Sequence, residues 1–534
     1  MAYGPSQTAA PDGGRLAHKW KVLISVIFGV FMVILDTTVI NVAFQTLRVE
    51  YGVDLNQAQW IISIYVLALG IATPLAGFLA DRFGMKRVYV TGLSLFVLGS
   101  FLCGIAPSFW FLVGARALQG LGGGIATPLG SALLLASFPA REQGTALGIF
   151  GMALVVAPAL GPILGGFMVD QGLWRWIFFI NVPIGLLGIF LASRWLRPPQ
   201  SLQSIPLDVW GLLTAAVGAG AILYGASIIA DRGWTDPQVL AIFAIGLVSL
   251  TLFAYIELFR ANHPLLNLRL FQNRVFLNAS MVGWVSVLAL FGAEFLMPLY
   301  LQAVRGLSAL QTGLTLLPMA VAAAIATPVA GRFYDKIGPR PLVVAGFSIL
   351  ALNTWQLSQL QANTPTAWIM FLLALRGIAL GMTVQTTFVT ALGQVPIPQI
   401  ARASSLVNSS RQLVQALGVA VLATVLASTL SPQVRVVQAQ FQEQAAQNPA
   451  QHIGLCQAAG LAPSISATPG APPDVQPIVK QACEEAVAGF EKTYLLTFAA
   501  SLVALVLGAF LPGWPMKWAG RRPADAPQAA AGSH

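Results

Sequence analysis

Gly77-Phe-Leu-Ala-Asp-Arg-Phe-Gly-Met-Lys-Arg87 interrupts two long apolar runs with a tight, basic turn, and it returns as Gly331-Arg-Phe-Tyr-Asp-Lys-Ile-Gly-Pro-Arg340. Gly77, Asp81 and Gly84 match Gly331, Asp335 and Gly338 at one offset of 254 residues, and a cation follows the Asp in both copies (Arg82, Lys336). One such turn is weak evidence, because glycine and charge mark loops anywhere. Two copies, each between runs long enough to cross a bilayer, predict a chain built from two related halves.

Composition agrees with that. Of 534 residues 56% are hydrophobic and only 9% charged, with a mean hydropathy of +0.74. Soluble domains carry about 25% charged residues, so the chain reads as an all-α polytopic membrane protein. The net charge of +10 would suggest nucleic acid in a soluble chain. Here the cations sit in short loops, where they orient a membrane protein. Three Cys in so long a chain make neither a disulfide scaffold nor a Cys-rich metal site. Residues 1–21 are polar and basic without a cleavable signal's apolar core, so the first apolar run is expected to stay as a span.

Taking about 20 apolar residues per span, some fourteen fall near 22–42, 58–80, 87–106, 109–131, 143–169, 174–195, 208–230, 237–258, 275–302, 309–334, 340–360, 366–392, 401–430 and 491–513. With the N-terminus cytoplasmic, about 19 cations lie in inside loops against 7 outside, which predicts both termini cytoplasmic. Residues 1–21 are then a cytoplasmic segment, 22–195 a first six-helix bundle, 208–258 two additional helices between the halves, 275–513 a second six-helix bundle and 514–534 a cytoplasmic tail. The one long loop, 431–490, lies outside. Its ends, Val434–Gln444 and Asp474–Phe490, could be helical, and its proline-rich middle reads as coil. Cys456 and Cys483 both lie in it, either as a disulfide or as two free thiols.

Carboxylates inside a membrane are costly and usually functional. Among the acids only Asp36 and Glu294 lie well inside spans, 258 residues apart, so they read as near pseudo-symmetry mates facing one central cavity. Burial raises a carboxylate's pKa, so such a group can carry a proton; the bland alternative is a structural carboxylate paired with an Arg. Three cations also lie within spans: Arg116, with Gln119 one turn on, Arg376 and Arg411. Asn408, Arg411, Gln412 and Gln415 make one polar stripe at helical spacing. Such a face points inward, either to line a cavity or to bond neighbouring helices. Trp284 and Phe291 are at heptad spacing, with Phe295 beside Glu294. That aromatic wall either packs or receives an amphipathic cation. Gly151–Gly166 is dense in Gly and Pro, and Pro158, Gly161, Pro162, Gly165 and Gly166 predict a bent, closely packed span.

At these residues the chain resembles the major facilitator superfamily. Gly77–Arg87 is similar to its cytoplasmic loop signature, Arg116–Gly124 to its fourth-helix motif and Gly151–Gly166 to its antiporter motif. Leu35–Ala43, with Asp36 and Asn41, and Trp174–Pro183 resemble the fourteen-helix drug:proton antiporter branch, the EmrB/QacA-type exporters. Two positions depart from the pattern: Gln45 stands where the family has Pro, and Met85 precedes Lys86 in the loop signature. The resemblance implies the major facilitator fold, with two six-helix pseudo-symmetric bundles plus two extra helices. It also implies a proton-coupled antiporter exporting hydrophobic or amphipathic compounds from the plasma (inner) membrane. The alternative cargo is a lipid, fatty acid or secreted metabolite. Asp36 and Arg116 would belong to the proton pathway, and Glu294 joins them on symmetry alone. Asn41, Gln119, Trp284, Phe291, Phe295, Asn408, Arg411, Gln412 and Gln415 would line the substrate cavity. Gly77, Asp81, Arg82, Gly84 and Arg87, with Asp335 and Arg340, would latch the bundles together. The implied partners are protons, a lipophilic small molecule and the bilayer, with no nucleic acid, no cofactor and no metal. A periplasmic adaptor is compatible with that branch, but nothing in the sequence indicates one. The four His lie in loops or at termini and form no catalytic set, so an enzyme is not expected.

Overall fold

The structure is a computed structural model and describes residues 17–197, 206, 208–261, 264–429, 431, 434, 454–461 and 476–514; the side chains of residues 45, 55, 56, 162, 170, 230, 231, 290–295 and 309 also lie outside that description. The terminal segments before residue 17 and after Trp514, the proline-rich middle of the long loop and the helix expected over Val434–Gln444 beyond Val434 therefore lie outside the described residues.

Fourteen long helices carry the fold: α1 (His18–Glu50), α2 (Leu55–Phe83), α3 (Met85–Gly104), α4 (Phe109–Ser137), α5 (Gln143–Asp170), α6 (Asn181–Trp195) and α7 (Val209–Arg232). They continue with α8 (Pro237–Tyr255), α9 (Arg274–Leu299), α10 (Ala309–Ile337), α11 (Pro339–Ser358), α12 (Thr366–Leu392), α13 (Ile400–Ser428) and α14 (Gln476–Ala509). Thirteen described helices are long and apolar enough to cross a membrane, and the described part of α9, Arg274–Ala289, is apolar as well. Two sequence expectations change. The helix expected before the last span and that span itself form one helix, α14, of 34 residues. The span expected over 174–195 breaks at Ile180 into a single turn, Trp176–Phe179, and α6.

The repeated turn is one backbone device used twice. α2 ends and α3 begins at Gly84, φ 88°, and α10 passes to α11 at Gly338, φ 82°. An L side chain is strained there, so glycine reverses the chain without a loop. The end of the molecule carrying both turns is the turn end. Other helix ends are fixed by side chains: Asp54, Asp208, Asp236 and Asn273 accept from first-turn amides, and Ser308 with Gln311 makes a capping box.

Helices this apolar gain little from hydrophobic contrast inside lipid, so close backbone approach holds them together. In α4, a Cβ on Gly120 or Gly124 would lie 2.4 Å from the carbonyls of Tyr65 and Leu69 in α2, and one on Gly122 would lie 2.4 Å from Phe96 N in α3. α1 packs on α4, α5 and α6, while α9 packs on α12, α13 and α14. α10 lies between α5 and α12. The additional pair is part of the packing: α7 lies against α8, α2 and α13. Away from the turn end, Cys456 and Cys483 are bonded, with Cα atoms 5.0 Å apart. Both sit in an apolar cluster with Leu455, Val479, Tyr300 and Phe490.

Candidate functional site

Asp36 lies in α1 at 3% exposure, and its carboxylate is fully engaged. Oδ2 accepts from Arg116 Nη1 at 2.6 Å, and Oδ1 accepts from Gln119 Nε2 at 2.8 Å and from Asn181 Nδ2 at 2.9 Å. Arg116 and Gln119 share one face of α4, three residues apart, and Arg116 also donates to Gln119 Oε1 at 2.7 Å. The guanidinium gives its Nε hydrogen to Ile61 O at 3.2 Å and lies 4.1 Å from the Tyr65 ring. Asn181 reaches in because the chain breaks at Ile180. Pro183 suits this first turn of α6, where no intrahelical bond needs its missing N–H. Asn181 Nδ2 is also 3.1 Å from Ser100 Oγ, which donates to Phe178 O. One carboxylate thus ties together α1, α4 and α6. The sequence reading had Asp36 on the cavity wall and Gln119 in the substrate cavity. Here both are buried within the first helices, and the cluster is closed.

In the second half, Arg376 follows Arg116 by 260 residues and is as deeply buried. It donates to Ala289 O at 2.7 Å in α9 and to Thr354 Oγ1 at 3.2 Å in α11. Glu294, Phe291 and Phe295 lie in α9, with their side chains outside the described residues. Trp284 is half-buried and donates from Nε1 to Ser410 Oγ at 2.9 Å in α13.

The polar stripe of α13 divides by task. Asn408 bonds back to Ser404 O at 2.8 Å, and Gln412 reaches Thr73 Oγ1 of α2 at 3.2 Å. Gln415 and Arg411 are half-buried, and Asn41 of α1 is exposed.

At the turn end the two acids of the repeated turn each bind the start of a helix in the opposite half. Asp81 pairs with Arg402 of α13 at 2.5 Å. Asp335 accepts from the amides of Gly144 and Thr145 at 2.8 and 2.9 Å and from Thr145 Oγ1 at 2.7 Å, capping α5. A carboxylate is well placed at the positive end of a helix dipole. Glycines permit the approach: a Cβ on Gly77 would lie 2.7 Å from Arg402 Cα, and one on Gly331 would lie 2.2 Å from Gly144 O. Arg82 lies against the Phe83 ring, Arg87 is exposed, and the Arg340 amide bonds Pro512 O. The cation facing Asp81 is thus Arg402, not the Arg87 of its own loop.

α5 is one helix through Pro158. Gly161 and Gly165 face α1, with Thr38 Oγ1 2.2 Å and Val39 O 3.2 Å from an added Cβ. Gly166 has open space beside it, and the Pro162 side chain lies outside the described residues.

Sequence reasoning missed Asn181, Arg402 and Gly144 as site residues. Asn181 stood inside a quoted motif, yet nothing local says that the chain breaks beside it. Arg402 looked like any loop cation, and Gly144 like any helix start.

This arrangement of helices, repeated turn and buried charged cluster is that of a membrane transporter with two related halves. The family model of the Major Facilitator Superfamily matches residues 26–419, and the chain belongs to that superfamily. It is 35% identical over 408 residues to the uncharacterized MFS-type transporter YhcA of Bacillus subtilis, covering 76% of each chain. It is 30% identical over 480 residues to the multidrug resistance protein B homolog of Mycobacterium tuberculosis, covering 89% of this chain and 87% of that one. Among solved structures, the proton:xylose symporter XylE superposes with a TM-score of 0.56 at 14% identity, over 93% of this chain and 96% of that one. The chain is therefore a multi-pass membrane transporter of the major facilitator fold rather than an enzyme.

Proposed function

We propose that this transporter is a proton-coupled antiporter that exports hydrophobic or amphipathic compounds. The observation that carries the reading is the Asp36 carboxylate, held at 3% exposure by Arg116, Gln119 and Asn181. Protonating it removes the anion that Arg116 faces. Breaking a buried pair in this way costs about 3–5 kcal/mol, enough to shift a two-state equilibrium by orders of magnitude. A proton at Asp36 would thus loosen α1 from α4 and α6, and its release would restore the cluster. The name of the mycobacterial relative supports drug efflux as the role. The positive-inside pattern supports a plasma (inner) membrane location with both termini cytoplasmic.

On that orientation the turn end is cytoplasmic. The Asp81–Arg402 pair and the Asp335 cap of α5 then close the cytoplasmic side, which supports an outward-open state for this structure. Export proceeds by alternating access, with the bundles of 22–195 and 275–513 exchanging this closure for one at the opposite end.

The test is substrate-driven proton movement in liposomes, run with a panel of lipophilic cations, neutral drugs and fatty acids. A pH-gradient change on adding a panel member, absent in Asp36→Asn, supports the reading. Wild-type flux in Asp36→Asn sinks it.

A further inference from the structure

Three arginines lie inside membrane-spanning helices, Arg116 in the first half of the chain and Arg376 and Arg411 in the second, and among the described residues only Arg411 has no counter-group. Arg116 faces Asp36, and Arg376 faces Ala289 O and Thr354 Oγ1. Arg411, eleven residues into α13, makes no ion pair or hydrogen bond among the described residues. It lies between α9, α12 and α13, beside Ser280, Gly283, Thr387, Phe388 and Val407. Ser280 is 3% exposed, and its hydroxyl also has no partner among the described residues. Thr387 is satisfied by the carbonyls of Thr383 and Val384. Gly283 is itself buried, and a Cβ on it would meet nothing within 4 Å, so a small unfilled space of about 10 Å³ lies between this face of α9 and the guanidinium.

A cation inside a bilayer is retained where a counter-charge or backbone carbonyl meets it, as at Arg116 and Arg376, or where it faces a cavity and marks a substrate path. Among the described residues no acid pairs with Arg411. Glu294 lies eleven residues beyond Gly283 on α9, about 16 Å along the axis. Asp36 is engaged by Arg116, Asp81 by Arg402, and Asp335 by α5. A donor pair of guanidinium and hydroxyl, walled by Phe388 and Val407, matches an anionic head on an apolar body.

We propose that Arg411, with Ser280 and the space left by Gly283, binds the anionic head group of the exported amphiphile, a carboxylate in the first instance. The proposal rests on the export reading above for its biological sense, but its chemistry can be tested without transport. Charge-assisted hydrogen bonds to Arg are among the strongest a site can make, and they set the expected selectivity.

The experiment uses the full chain in phosphatidylcholine nanodiscs and three probes: anthroyloxy-stearate, its methyl ester and ethidium. The carboxylate should bind roughly 10-fold or more tightly than the ester. Arg411→Gln should erase that preference while leaving the ester's affinity unchanged. Gly283→Leu fills the space without removing the charge and should weaken carboxylate binding too, which covers the case where Arg411→Gln does not fold. Equal binding of acid and ester by the wild type, tighter binding of ethidium, or a preference that survives Arg411→Gln overturns the proposal. So does displacement of the probe by phosphatidylglycerol but not by free stearate, which would give the site to bilayer lipid. Proton flux is read separately. A carboxylate preference without substrate-driven flux sinks the coupling and leaves this site standing, whereas flux without the preference does the reverse.

Discussion

Arg116 and Arg411 are both cations inside membrane-spanning helices, and the molecule treats them in opposite ways. Arg116 is completely buried and meets a carboxylate, a carbonyl, an amide oxygen and an aromatic face. Arg411 is half-buried, beside a hydroxyl with no partner among the described residues and a small unfilled space. The first charge is matched from within the chain, and on the proposed coupling it changes when a proton reaches Asp36. The second has no partner among the described residues and, on the proposal above, receives one from outside. A closed centre suits coupling and an open one suits recognition, and the two lie in different halves, so the motion of one bundle against the other can link them.

The hardest way to break this comparison is at the closed centre. Asp36→Asn should reduce substrate-driven proton flux in proteoliposomes to the level of empty liposomes. Arg116→Gln leaves Asp36 buried without its cation and should lower unfolding stability by about 3 kcal/mol or more. Arg411→Gln should do the opposite, raising stability by about 1 kcal/mol, since a desolvated cation without a partner is removed. Thermal unfolding of both variants in the same detergent measures the contrast, and shifts of the same sign would erase it.

The turn end offers the next largest effect. Gly144→Leu places a side chain against Gly331 O and Asp335, where even a Cβ would lie 2.6 Å from each. It should hold the turn end open and cut transport about tenfold or more while probe binding persists. Cysteine labelling at the turn end, faster in the variant than in the wild type, checks this. Asp81→Ala is milder, because the pair with Arg402 keeps some solvent access on both sides. A double-mutant cycle of Asp81→Ala and Arg402→Ala should give a coupling of about 1 kcal/mol, with slower turnover rather than weaker binding.

The smallest effect on transport is expected at the disulfide. Cys456→Ser with Cys483→Ser opens a link spanning 27 residues. By loop-closure arithmetic this releases about 3.5 kcal/mol of local stabilisation. Proteolysis of the 431–490 segment should quicken, while proton flux and the carboxylate preference stay as they were.

The sequence by itself determined the number and nature of the helices, the two-fold repeat and the reversals at Gly84 and Gly338. These depend on local quantities: apolar run length, the pairing of glycine with positive φ, and a spacing that repeats. It also singled out Asp36, because an acid in an apolar run is conspicuous wherever it points. Which way it points was decided only by tertiary structure. Asp36 finds Arg116 80 residues away and Asn181 145 residues away, and a carboxylate expected on a cavity wall becomes the closed core of one bundle. The same holds for the latch. Asp81 and Asp335 were legible as a pair of repeats, but their partners Arg402 and the start of α5 lie in the opposite halves, where only the meeting of the two bundles brings them. Membrane helices are apolar on nearly every face, so their sequences say little about which face meets which neighbour. That choice is made by glycine-sized gaps and by the few polar groups that must be satisfied, and both are properties of the assembled bundle.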